Sequence, residues 1–242
     1  MYCTAGFPKL ESTSAVLLSL QIAGADIIEI GIPYSDPVAD GPTIQKSNMI
    51  ALQNGISIEK LFQQLFSLNG KITVPTILMG YLNPVLQYGM ERFCADAHAA
   101  GVSGIILPDL PMHEFEKTYK RLFVKYQLHF IFLVTPETSE DRIRKADKLS
   151  DGFLYAVSSS STTGKESSLK TQAPYFKRLQ TMNLKNPVLI GFGIKDRSTF
   201  EEACSYANGA IIGSAYIHAL TAGEDTDAIT RDFVRGIKNN DL

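Results

Sequence analysis

The stretch Ile27-Ile28-Glu29-Ile30-Gly31-Ile32-Pro33-Tyr34-Ser35-Asp36-Pro37-Val38-Ala39-Asp40-Gly41-Pro42 decides the fold. Its first five residues form a short β-branched run closed by a glycine, which reads as a buried strand. Pro33 to Pro42 holds three prolines and a glycine, a composition that excludes a helix and suggests a stiff loop. Just upstream, Ser12–Ala23 places apolar residues at helical spacing and runs out through Ala23-Gly24-Ala25.

Working outward, the same alternation of apolar run, turn residues and amphipathic stretch recurs from residue 25 to residue 212. Strands are expected at Tyr2–Thr4, Ile27–Gly31, Thr73–Met79, Gly104–Leu107, His129–Val134, Phe153–Val157, Val188–Gly191 and Ala210–Ile212. Helices are expected at Ser12–Ala23, Ile58–Leu68, Met90–Ala100, Met112–Tyr126, Ser139–Leu149, Thr171–Met182, Ser198–Ala207 and Asp225–Lys238, with a further helical stretch at Ala215–Leu220. Eight parallel βα units can close on themselves, so the fold class is α/β, a (β/α)8 TIM barrel forming a single domain over residues 1–242. A doubly wound open sheet uses the same alternation. No G-x-G-x-x-G follows the first strand and no G-x-x-x-x-G-K-[ST] occurs, so the count of eight favours the barrel.

A chain of 242 residues with 45% apolar content is long enough for one sizeable core. Lys+Arg and Asp+Glu number 23 and 25, a balance that offers no long-range attraction to nucleic acid or an anionic membrane. Any phosphate must be held locally. Cys3, Cys94 and Cys204 fit neither a disulfide framework nor a metal-ligand spacing, and no apolar run is long enough to cross a bilayer. A cytoplasmic, reducing setting is expected.

Glu29 is the one charge in an aliphatic run. Inside the barrel, its pKa would rise above the free value of about 4.3 and suit it to proton transfer near neutrality. Facing a helix, it would instead be a paired carboxylate. Asp40, eleven residues on, stands either across a pocket from Glu29 or simply as a turn former before Gly41. Tyr155 at the end of the sixth strand is either a pocket wall or core packing. Asp109 in Leu107-Pro108-Asp109-Leu110-Pro111 is either a third pocket residue or a helix cap.

Glycines gather on the last three units. Gly164 lies in the Ser/Thr-rich connection Ser158–Ser168, which reads as a lid; Gly193 follows the seventh strand, and Gly213 with Ser214 follows the eighth, ahead of a short helix. Each alone is a turn, but together they could cradle a phosphate with backbone amides and a helix start. His98, His113, His129 and His218 are scattered and read as structural or surface residues, so no metal is expected.

The segment from Ile28 to Gln45 closely resembles the signature of the tryptophan synthase alpha subunit family. Tyr2-Cys3-Thr4-Ala5-Gly6-Phe7-Pro8, Leu78-Met79-Gly80-Tyr81-Leu82-Asn83-Pro84, Leu107–Pro111, Gly191-Phe192-Gly193-Ile194 and Gly213-Ser214-Ala215 reinforce it in family order. The resemblance implies a lyase of tryptophan biosynthesis that splits indole-3-glycerol phosphate into indole and glyceraldehyde 3-phosphate. In it Glu29 is the acid/base that protonates indole C3, and Asp40 is the carboxylate at the indole N–H. Tyr2, Leu78 and Tyr155 fall at pocket positions; Gly164, Gly193, Gly213 and Ser214 fall at the phosphate site. It implies no cofactor on this chain, with pyridoxal phosphate carried by a beta subunit that receives indole through a tunnel in an α2β2 assembly. The loops with Asp36 and with Asn83-Pro84 would touch that partner.

Two departures stand out. Ser161 and Thr162 occupy lid positions where the family commonly has Gly-Val, and this sequence opens on the first strand, ahead of which the family usually has a helix. Two other readings are compatible with the residues: a subunit that mainly binds and activates the beta chain, or another sugar-phosphate barrel lyase or isomerase. The latter would need a Schiff-base lysine or a metal cluster near the strand ends.

Overall fold

The computed structural model describes residues 1–158, 169–223 and 225–238. Among these residues nine short strands alternate with helices: β1 Tyr2–Thr4, β2 Ile28–Gly31, β3 Thr76–Met79, β4 Gly104–Ile106, β5 His129–Phe130, β6 Leu133–Val134, β7 Leu154–Val157, β8 Val188–Gly191 and β9 Gly209–Ile211. All pairings are parallel, in the orders β1-β2-β3-β4-β5 and β6-β7-β8-β9.

Backbone hydrogen bonds join the two runs into a ring. The Tyr2 N–H donates to Ile212 O at 2.9 Å, Ile131 N–H to Ile105 O at 3.0 Å, and Tyr155 N–H to Phe132 O at 3.1 Å. β5 and β6 are therefore one barrel strand, as expected over His129–Val134, interrupted where the Phe132 N–H turns to the Ser150 hydroxyl at 3.1 Å instead of a strand carbonyl. Eight strands close a TIM barrel.

Helices wrap the ring: α1 Ser12–Ile22, α2 Pro42–Gln53, α3 Ile58–Ser67, α4 Leu82–Tyr88, α5 Met90–Ala99, α6 Met112–Glu114, α7 Lys120–Lys125, α8 Glu140–Leu149, α9 Ala173–Thr181, α10 Arg197–Tyr206, α11 Ser214–Thr221 and α12 Thr226–Lys238. Local chemistry explains their limits. Ser57 caps α3 by accepting the Lys60 N–H, and Ile58, Leu61, Phe62 and Leu65 form its buried stripe. Asp196 and Thr199 form a reciprocal capping box at the start of α10.

The structure departs from the sequence reading in three helical segments. Pro42, read as part of a helix-excluding loop, is the first residue of α2, where its missing N–H costs nothing. The single helix expected over Met112–Tyr126 is split by a π-helical turn, Phe115–Tyr119, at which Phe115 stacks on Phe130 with ring centroids 4.3 Å apart. Finally, α4 occupies Leu82–Tyr88, where only a loop was foreseen. Its first amide, Leu82 N–H, is held by both Asp109 carboxylate oxygens at 2.9 and 3.0 Å. Asp109 is thus a cap, but for the helix of the neighbouring unit.

Candidate active site

Register decides which side chains enter the barrel. Tyr2, Glu29 and Ile77 are cross-strand partners, as are Leu133, Tyr155 and Leu189, and partners in parallel strands share a face. Ile77 and Leu189 come from well-separated strands, yet with Glu29 they line one cavity of about 280 Å³; their common face is the barrel interior. That cavity meets Glu29 from the N-terminal end of the strands, where Ala25, Asp26 and Asn208 also line it.

Glycines make room for the two interior tyrosines. A Cβ on Gly31 would lie 2.1 Å from the Tyr2 hydroxyl, and one on Gly191 would lie 2.3 Å from the Tyr155 ring. These rings fill the space that the strand-ending glycines leave. Gly191→Ala should therefore push Tyr155 aside and lower stability by about 1–3 kcal/mol, the usual cost of overpacking; an unchanged melting temperature would show that the ring yields freely.

Glu29 is 3% exposed, and no described residue hydrogen-bonds its carboxylate. Burial is the main force on it, raising its pKa to about 7; the chain's amino group lowers it and the Asp40 charge raises it. Asp40 lies beyond the C-terminal end of β2, 8% exposed. Burial raises it to about 6, against hydrogen bonds from Tyr81 and Asn48 that favour its ionised form. The two acids differ in environment: Glu29 sits in an apolar barrel, Asp40 among hydrogen-bond donors. Both lie close to Tyr155, whose own ionisation is suppressed first by burial and then by the charges of Glu29 and Asp40.

Of the other sequence-predicted residues, Tyr2 joins this group, packing beside Gly213 at 3.4 Å from where a Cβ would stand. Leu78 does not. It pairs with Ile30, one position out of step with Glu29 and Ile77, and so faces the helices; Met79 is the inward residue next to it. This corrects the reading of Leu78 as a pocket residue. In a strand buried on both faces every position is apolar, so the alternation that would have separated the two is invisible.

Gly193 has φ +75°, and the preceding Phe192 has φ +70°, with its carbonyl held by the Ser158 hydroxyl at 2.7 Å. Gly213 precedes α11, whose first intrahelical bond runs from Ile217 N–H to Gly213 O; the amides of Ser214 and its neighbours are left at the helix start for an outside acceptor. Gly164, Ser161, Thr162 and most of the expected lid lie outside the described residues. Among the described residues no three His, Cys, Asp or Glu side chains cluster as a metal site would require, and no helix is long and apolar enough to cross a membrane.

Two residues beside Asp40 escaped the sequence reading. Tyr81, just past β3, accepts the Ala39 N–H at 3.0 Å on its hydroxyl and hydrogen-bonds the Asp40 carboxylate. Asn48, on the buried stripe of α2 with Ile44, Ser47 and Ala51, directs its amide nitrogen at Asp40 at 3.4 Å. A polar residue recurring at helical spacing with Ile44 and Ala51 was the available signal for Asn48.

Comparison with known proteins gives one consistent result. The family model described as tryptophan synthase alpha chain matches residues 1–239. A tryptophan synthase alpha chain of Christiangramia forsetii is 48% identical over 239 residues, covering 98% of this chain and 93% of the relative. One from Flavobacterium psychrophilum is 50% identical over 222 residues, covering 91% and 88%. Among solved structures, a mutant tryptophan synthase alpha-subunit from Pyrococcus furiosus superposes with a TM-score of 0.88 at 33% identity, covering 98% of this chain and 96% of the other. Tryptophan synthase subunit alpha from Legionella pneumophila gives 0.86 at 35% identity, covering 98% and 90%.

Proposed function

The chain belongs to the tryptophan synthase alpha chain family, lyases that split indole-3-glycerol phosphate into indole and glyceraldehyde 3-phosphate, and on that premise we propose that Glu29 and Asp40 carry the cleavage. The observation that carries this reading is the contrast between the two acids: one inside the barrel with no hydrogen-bonding partner among the described residues, the other beyond the strand end among donors.

Glu29, protonated near neutrality, donates to C3 of the indole ring and makes that carbon tetrahedral. The ring becomes a cationic indolenine, and the Asp40 carboxylate, hydrogen-bonded to the indole N–H, offsets the developing positive charge. The Glu29 carboxylate left by that transfer then takes the proton of the glycerol hydroxyl next to the scissile bond, the aldehyde forms, and the bond electrons return to C3 as indole leaves, which restores the Glu29 acid. Atoms balance without a cofactor.

Tyr2 and Tyr155 wall the indole between the acids, and the phosphate sits at Gly193, Gly213 and Ser214, with Gly164 contributing from the lid. Anchoring the far end of the substrate fixes the reacting carbon at Glu29. A pyridoxal-phosphate beta subunit receives the indole in an α2β2 assembly, docking on the loop that contains Asp36 and on the first turn of α4 at Asn83-Pro84. Val38 on the first of these is 76% exposed, which suits an apolar contact.

The reaction requires Asp40 ionised and Glu29 protonated. With folded values of about 6 and about 7, kcat/KM should fall below pH 6 as Asp40 gains its proton and fall above pH 7 as Glu29 loses its own. The experiment follows indole release from indole-3-glycerol phosphate across this range while a beta subunit is titrated in. A bell with its maximum between these limits is expected; no indole at any partner concentration would sink the proposal.

A further inference from the structure

We infer that Tyr81, with Asn48 as its counterpart on α2, is a positioning residue that sets the orientation of the Asp40 carboxylate for the cleavage. The inference rests on the role assigned to Asp40 above. Its basis is the placement of one hydroxyl: Tyr81 Oη accepts the Ala39 N–H at 3.0 Å and lies beside the Asp40 carboxylate, whose ionised form it favours. One atom therefore fixes both the backbone just ahead of Asp40 and the carboxylate itself.

Tyr81 is itself pinned by two loops and the first turn of α4. Its ring lies 5.4 Å from that of Tyr34, in the loop after β2. The Tyr34 hydroxyl accepts from Asn83 Nδ2 at 3.3 Å, and the next amide, Leu82 N–H, is gripped by Asp109 from the loop after β4. A hydroxyl held in this way keeps its direction without help from substrate.

Asn48 approaches from the other side. It is 2% exposed, and its Oδ1 has no hydrogen-bonding partner among the described residues. Reversing the amide would turn that oxygen toward a carboxylate and leave the NH2 unpaired, so the nitrogen must face Asp40. Two donors from separate elements then fix the plane of the Asp40 carboxylate.

The titratable groups around Asp40 are Tyr81 after β3, Glu29 on β2, Tyr2 on β1 and Tyr155 on β7. Among these, Tyr81 is the hydrogen-bond donor to Asp40, and Asn48 joins it as a neutral one. Removing either favours the protonated carboxyl, so the acid side of the activity profile must move to higher pH.

The test measures kcat and KM for indole release against pH, in the complex with a beta subunit, for wild type, Tyr81→Phe, Asn48→Leu and Asp40→Asn. Tyr81→Phe keeps the ring on Tyr34 and loses only the hydroxyl. It should lower kcat about tenfold or more with KM little changed, and move the acid limb up by about one pH unit. Asn48→Leu, of similar volume, should move the limb in the same direction. Normal kcat with an unmoved limb in Tyr81→Phe, while Asp40→Asn is inactive, would overturn the positioning role and spare the reading of Asp40. Full activity in Asp40→Asn would overturn that reading and the inference with it. A limb that moves in neither variant, with thermal melts at the wild-type temperature, would assign both residues to packing.

Discussion

Glu29→Gln should lower kcat for indole release by about 10³- to 10⁴-fold while leaving substrate affinity nearly intact, because glutamine fills the same space but has no acidic proton to give. The same variant should be more stable than wild type at pH 8. Burial raises the Glu29 pKa from 4.5 to about 7, so the folded state favours the neutral acid. The stability contributed by that preference is fully present below pH 4.5 and is lost as pH rises through 7. Glutamine resembles the neutral form at every pH. The gain should be on the order of 3 kcal/mol at pH 8 and vanish at pH 4. Chemical denaturation of both proteins at the two pH values checks it. A variant that is inactive yet less stable at both would point to a packing role, and one with near wild-type turnover would remove Glu29 from the mechanism.

Asp40→Asn should cost about 10²- to 10³-fold in kcat, the scale seen when a preorganised electrostatic partner is taken from a developing charge. Asparagine can keep the turn, in which the Asp40 N–H bonds Pro37 O at 3.0 Å, and can still meet the indole N–H with its carbonyl. What it loses is the negative charge opposite the cationic indolenine. A second signature follows from the coupling of the two acids. The Asp40 charge raises the Glu29 pKa, so its removal should draw the alkaline limb of the residual activity to lower pH. Full activity would leave Asp40 as a turn residue of the Pro37–Gly41 loop.

The architecture was legible because eight apolar runs, separated by helix-period stretches, admit few parallel arrangements. Glu29 was legible for the opposite reason, as a charge that breaks the pattern of its own strand. The strand-end glycines were visible too, although not their reason: Gly31 and Gly191 yield space to Tyr2 and Tyr155, which only cross-strand register reveals.

The residues that were missed share a cause. Leu78 and Met79 are equally apolar on a strand buried on both faces, so sequence could not say which one turns inward. The prolines around Asp40 concealed α2, and with it Asn48, because a proline that forbids a helix interior is welcome at its first turn. Tyr81 follows its strand as any loop aromatic might. Its value lies in a hydroxyl placed between the Ala39 N–H and the Asp40 carboxylate, a coincidence of two loops 42 residues apart in sequence.

Cleavage by this route requires the Glu29 carboxyl to be protonated before substrate arrives. The direct measurement is the titration of that carboxyl by ¹³C NMR or difference infrared spectroscopy, with Glu29→Gln used to assign the signal. A midpoint near pH 7 is the predicted result. A midpoint below pH 5 would show Glu29 to be ionised at working pH, with no proton to give to the indole ring.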